Sequence, residues 1–482
     1  MLFAVSLLLD PKNPSTVSYA SQNFYDQAVV HYLPLVLRHP NRLRHVQAYL
    51  MMSMHSLFSP STDQISLMTS AAMRYCVVSK FHLVESEPEP QTAAAQADIQ
   101  MRRRAFWAAY SFDRLACGVL GIPYSIPDDS VTVPLFEDLD DELLVEDPIQ
   151  YREPLVFTTV SWALHRERLF LIQSEILNLT SRSDFSPDSE SFTIWRASVL
   201  SKLENWRLKL SKASTSEGRH PVDERLILIT YNLSLLLLHK PTKANVCGQT
   251  GDWALRASLQ IIMIFRKFQS GKKIPHPWLG LINQFSVGIT MLYCLWATPP
   301  QSRSEAYNSK NIFQAVRCCS NNLAVFAERW EQARDLVDVF ELLATEVPLV
   351  EDIPANDNHN PRPVKRIRVE IADEILGKLP NVQSVVLNGD TYRMIKEMIS
   401  DDLPTHVDDQ KTPATEAGRG LENSINNRSM LTGHVLPNEP NSSPEYPLFG
   451  SYVPEVQSVP HWENISLQSF KFPGNVQGYE PL

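Results

Sequence analysis

The chain has 482 residues, a net charge of −10 and 44% hydrophobic residues. That balance excludes a protein built throughout to neutralise nucleic-acid phosphate, which needs clustered Lys and Arg. With 34 Pro against 16 Gly, it also excludes a collagen-like or Gly-rich repeat. Cys76, Cys117, Cys247, Cys294, Cys318 and Cys319 are too few for a disulfide scaffold. None has the C-x-x-C spacing that lets two thiolates share a zinc, so they read as buried, reduced thiols of an intracellular protein.

Met1 to Asp10 is apolar but has no basic n-region and no small-residue cleavage site, so it makes a poor signal peptide. The chain opens inside what reads as a core helix, and the expectation is that sequence is missing upstream. Helical periodicity then runs over about 15–38 and 41–57. Ser61 and Gln64 have capping-box spacing, opening a helix with Ile65, Met68, Ala72, Cys76 and Val77 on one face. Further helices are predicted at about 99–118, 155–180, 190–211, 222–240, 250–270, 276–298 and 311–345. Leu226 to Leu238 is too short to span a bilayer and reads as a buried helix. Pro-containing joints of no fixed period separate the segments, which argues against a solenoid.

The prediction is an all-α protein with one large, irregular helical domain over 1–345. A linker over 346–400 would carry short helices near Val369–Leu379 and Thr391–Ile399. Residues 401–482 hold 11 Asp and Glu against 4 Lys and Arg, a net of −7 that leaves −3 for the rest. Aromatics, including Trp462, Phe470 and Phe472, are spaced among acids, prolines and serines there. Such a composition buries too little apolar surface to offset chain entropy, so a largely disordered acidic tail is expected.

Catalytic motifs are missing. There is no G-x-S-x-G, H-E-x-x-H, G-x-G-x-x-G or phosphate-cradling G-x-x-x-x-G-K-[ST] in the chain. Asp138-Leu139-Asp140-Asp141-Glu142 places Asp138 and Glu142 at i, i+4, the spacing of an aspartate-rich magnesium site of the terpene-cyclase kind. The prolines around it favour a solvated acidic loop instead. Arg102-Arg103-Arg104 reads as a solvated helical shoulder paired with neighbouring acids. Lys365, Arg366 and Arg368 form a weak import signal or a polar linker. No metal site, catalytic site or DNA-binding residue is identified.

One stretch is more specific. Arg104, Phe106, Trp107, Tyr110, Asp113 and Arg114 lie on one helix. They are followed by Gly121, Pro123, Asp128, Val133 and Pro134. This order resembles the signature of the fungal-specific transcription factor domain, the helical regulatory region that accompanies a six-cysteine zinc cluster. His45 to Met52, Ala71 to Leu83, Leu203 to Trp206 and Leu237 to Pro241 are similar to other landmarks of that family. The resemblance covers about 1–340.

Physically, Phe106, Ala109, Tyr110 and Asp113 form one helical row, with Trp107, Tyr110 and Arg114 beside it. Asp113 and Arg114 at a buried helix end need partners, and Gly121 before Pro123 ends the helix.

The resemblance implies a nuclear transcription regulator and no enzyme. The tail would be an activation segment whose candidate contacts are Trp462, Phe470 and Phe472. Implied partners are coactivators or a DNA-binding protein, with homodimerisation compatible and no membrane. DNA would be reached only indirectly or through a missing N-terminal segment, and zinc is expected only with an upstream cysteine cluster. The rival readings are an all-α enzyme of the terpene-cyclase kind and a helical effector-binding module.

Overall fold

The computed structural model describes residues 1–9, 14–145, 158–180, 190–214, 223–270, 276–347 and 367–400. Among them every regular element is a helix, and the fold is all-α. They lie within one unit, Met1–Pro404. The acidic tail, with Trp462, Phe470 and Phe472, lies outside the described residues.

The first hairpin is α1 (Leu2–Leu9) against α2 (Pro14–Gln27). A π-helical turn, Ala28–Tyr32, joins α2 to α3 (Leu33–Arg38). The predicted helix over 15–38 is therefore present but changes its winding midway. Pro34 supplies the reason: it has no amide hydrogen for the carbonyl four residues back, and its ring crowds that turn. The amide of Leu33 reaches back to the Ala28 carbonyl, one residue further than in an α-helix.

Capping fixes the next starts. Asn41 accepts the Leu43 amide at 2.9 Å and opens α4 (Arg42–Ser56). Ser61 accepts the Gln64 amide at 3.2 Å and opens α5 (Thr62–Val78). Half of the capping box forms: the Gln64 side chain accepts the Ser59 hydroxyl at 2.8 Å. Thr92 caps α6 (Ala93–Leu120), which begins earlier than expected because the Ala-rich run from Ala93 is helical.

A second core forms where α7 (Ser161–Thr180), α8 (Glu190–Ser214), α9 (Glu224–Leu238) and α10 (Gln249–Ser270) meet. Leu169, Ile176, Val199, Leu203 and Leu235 fill it. Next comes α11 (Pro277–Ala297), apolar nearly all round and therefore central. It is long and apolar enough to cross a bilayer, yet 89% of that window is buried inside the protein, as in a core helix.

Around α11 pack α10, α12 (Ser309–Arg329) and α13 (Arg334–Glu346). The helix predicted over 311–345 is broken between α12 and α13. Trp330 leaves the helix to meet Trp278 edge-on at 5.2 Å, while its ring stacks on Phe326 at 5.7 Å. No Pro or Gly marks the break; packing makes it.

The stretch expected as a linker contributes two packed helices, α14 (Val369–Val385) on α13 and α15 (Gly389–Ile399) on α11. Arg368 is paired with Glu346 at 2.8 Å, and Lys365 and Arg366 lie outside the described residues.

Gly121 ties α6 to α15. Its φ of +69° is left-handed, and its amide and that of Ile122 both bond the Cys117 carbonyl, at 2.8 and 3.1 Å. A Cβ there would lie 2.9 Å from the Asn388 backbone. Asn388 in turn caps α15 through the Asp390 and Thr391 amides. Gly121→Ala is expected to lower stability by about 2 kcal/mol or more, since the left-handed backbone alone costs about 1–2 kcal/mol and the clash adds to it. Urea denaturation followed by circular dichroism measures the loss.

Candidate functional site: the signature helix and its returning strap

Gln100, Arg104, Trp107, Tyr110 and Arg114 recur at three- and four-residue steps on α6, so they share one side of the helix. Residues 122–141 run back along that side. This strap has only short 3-10 turns, Asp128–Ser130 and the start of Asp141–Val145. Its backbone polar groups therefore need outside partners, and α6 side chains supply them. The Ile126 carbonyl accepts from Arg114 at 2.8 Å, and the Pro134 carbonyl from the Trp107 indole at 2.9 Å. The Glu137 amide donates to Gln100 at 2.9 Å, and the Leu139 carbonyl accepts from Arg104 at 2.6 Å. On the opposite edge, the Thr132 and Val133 amides both bond the His82 carbonyl, at 2.9 and 3.1 Å.

Arg114 sits at the centre. Its side chain and that of Asp113 are both 0% exposed. Nη1 donates to Asp113 at 2.8 Å, and Nη2 to Asp128 at 2.8 Å. The guanidinium lies 4.0 Å from the Tyr110 ring centroid and 4.1 Å from that of Tyr124, so an aromatic face covers it twice. Asp113 also accepts the Ser125 amide at 3.2 Å and the Ser125 hydroxyl. The Tyr110 hydroxyl donates to Asp128 at 2.8 Å. Burial pushes the Tyr110 and Tyr124 phenols above their ordinary value and keeps them neutral.

The structure thus gathers Arg104, Trp107, Tyr110, Asp113, Arg114, Asp128 and Pro134 into one network. Phe106 and Val133 are buried beside it, Phe106 meeting Trp107 edge-on at 5.3 Å. Gly121 and Pro123 make the turn. Arg104 corrects the expectation of a solvated shoulder. It is buried and paired with Asp141, because the strap folds over it. Arg102 pairs at the surface with Asp98 and Arg103 pairs with Glu87 in a mostly buried contact, each at 2.7 Å. Gln100, Tyr124 and Ser125 were not singled out from the sequence. Only their return onto α6 gives them a role.

The acidic cluster is occupied by protein. Asp138 accepts the Thr158 hydroxyl at 2.5 Å and the Ser161 hydroxyl at 2.7 Å. Asp140 accepts the Thr159 amide and hydroxyl, both at 2.8 Å. These carboxyls anchor the start of α7. Asp138 lies in the strap and Glu142 in a 3-10 turn, so no α-helical face aligns them. Among the described residues no group of three or more His, Cys, Asp and Glu is placed to hold a metal.

Glu167 on α7 reaches α6 and accepts the Ser111 hydroxyl. It is 1% exposed, and burial pushes its carboxyl up to about 7, opposed by Arg166 and the Ser111 bond. Its second oxygen has no partner.

Residues 3–208 match the family described as the fungal specific transcription factor domain. Over this stretch, under half of its length, the chain is similar to that domain. The match ends inside α8, short of the 340 expected from the residue landmarks. The chain is 23% identical to Protein STB5 of Saccharomyces cerevisiae, over 63% of this chain and 41% of that protein. It is 22% identical to the Pyrimidine pathway regulatory protein 1 of the same yeast, over 56% of this chain and 30% of the relative. To the Positive regulator of purine utilization of Emericella nidulans it is 21% identical, over 59% and 34%. The chain spans less than half the length of these curated relatives. No solved structure matches it.

Among the described residues the six cysteines form no group placed to hold a zinc ion. They lie apart, on α5, α6, α11, α12 and the α9–α10 connection. Burial pushes the Cys76, Cys294 and Cys319 thiols up, away from the thiolate that zinc requires.

Breaking the buried pair with Arg114→Met is expected to cost about 3–5 kcal/mol by leaving Asp113 uncompensated. Arg114→Lys should recover little of it, because an ammonium cannot fork to two acceptors and stack between two rings. Chemical denaturation of the three proteins tests this. For Glu167, the folded pKa is raised. Its contribution is therefore full below the ordinary carboxyl pKa and is lost as pH rises through about 7. Glu167→Gln should flatten the fall in stability over that window, read as melting temperature against pH.

Proposed function

We propose that this chain is a transcription regulator of the fungal zinc-cluster type, working in the nucleus and not as an enzyme. The observation that carries the reading is the family match over 3–208 together with relatives named as regulators. The geometry supports it: the signature residues spend their polar groups on one another and on strap carbonyls. They act as architecture, so the domain is a scaffold that holds regulatory surfaces. The occupied carboxyls at Asp138 and Asp140 speak against the prenyl-diphosphate reading.

In this proposal the helical unit is the regulatory part, and residues 401–482 recruit coactivators through Trp462, Phe470 and Phe472. Acids keep such aromatics in water until they dock on an apolar groove. DNA is reached through a partner or through a zinc cluster that these 482 residues do not contain.

Fusing 401–482 to an unrelated DNA-binding module should activate a reporter. Replacing Trp462, Phe470 and Phe472 together by Ala should reduce that activity by about tenfold, in line with aromatic anchors dominating such contacts. A silent fusion would refute the tail's role.

A further inference from the structure

Residues 27–62 contain no Asp or Glu, in a chain whose net charge is −10. They carry Arg38, Arg42 and Arg44, and His31, His39, His45 and His55. The π-helical turn and α3 occupy the start of this stretch, and neither buries a single residue. Val30, Tyr32 and Leu35 are 65%, 52% and 45% exposed. A helical segment so rich in apolar residues is ordinarily covered, and an exposed apolar patch with a polar rim marks an interaction surface. The rim here is cationic. Arg38 ends α3, Arg42 begins α4, both are exposed, and neither forms an ion pair among the described residues. The widened turn forced by Pro34 is a second, independent sign, since π-helical turns are frequent at functional sites.

We propose that the face formed by the π-turn, α3 and the start of α4 is the docking site for an acidic amphipathic helix of another protein. Apolar side chains of that helix, at i, i+3 and i+4, would cover Tyr32 and Leu35, which stand three residues apart on one side. Its carboxylates would meet the Arg38 and Arg42 forks. Charge selects this occupant: a second copy of the face would set Arg38 and Arg42 against like charges, whereas an acidic helix complements them. The site lies far in sequence from the signature network and does not depend on how that network is read.

The test uses the full chain and a fluorescein-labelled designed helix of about 18 residues, with Leu at helical spacing and Glu elsewhere. A partner helix carrying Lys for every Glu is the control. The acidic helix should bind and the Lys helix should not. Leu35→Glu and Arg42→Glu, both at the surface, should each weaken binding by about tenfold, and added salt should weaken it further. Equal binding of the two helices, no binding of the acidic one, or indifference to both variants would overturn the proposal. A photo-crosslinker placed at position 35 of the full chain checks the other occupants. A crosslink to a second copy, or to residues 405–482 of the same chain, would overturn it as well.

Discussion

A guanidinium taken wholly out of water dictates much of this domain. Arg114 needs acceptors for its donors and cover for both faces, and α6 alone supplies only Asp113 and the Tyr110 ring. Asp113 comes from α6 itself, Tyr124 and Ser125 from the turn after Gly121, and Ile126 and Asp128 from the strap. Satisfying one cation therefore folds the chain back on itself. Once the strap is laid down, Asp138 and Asp140 stand where they anchor α7, and α7 brings Glu167 to Ser111. Each step places the polar group that the next one uses.

The family match and the structural unit have different extents. The match stops at residue 208, but hydrophobic packing crosses that point: Val199 and Leu203 of α8 share a core with Ile227 and Leu235 of α9. Polar contacts extend it further. Arg393 of α15 donates to the Pro241 carbonyl at 2.9 Å, and Lys240 pairs with Asp390 at 3.0 Å. Thr62 at the start of α5 donates to the Val385 carbonyl at 2.9 Å. The unit is closed by residues distant in sequence from the region that identifies it.

What was legible in the sequence was local. Helical periodicity placed most helices, Ser61 marked a start and Gly121 an end, because caps and left-handed glycines act within a few residues. The need of Asp113 and Arg114 for partners was also readable, since an unpaired buried charge is costly. Identifying those partners was not, because Tyr124, Ser125 and Gln100 acquire their roles only through a long-range return of the chain. The break at Trp330 left no breaker residue to read. The short helices expected near Val369–Leu379 and Thr391–Ile399 are present, but their docking was not legible because the surfaces they pack on lie on α13 and α11. Arg104 read as solvated for the same reason: its cover is the strap, more than thirty residues away.

The contact between Gly121 and Asn388 has a consequence for where the molecule can be divided. The end of the signature helix is shaped to the backbone that opens α15, so the two ends of the unit are fitted as a mould is to its cast. Cutting after α13 would remove the Tyr293–Glu397 bond and uncover the side of α11 on which α15 lies. A shorter fragment would thus present to water an apolar helix that the whole chain hides. The smallest piece that keeps its interior dry is set by α15, well beyond the region by which the family is recognised.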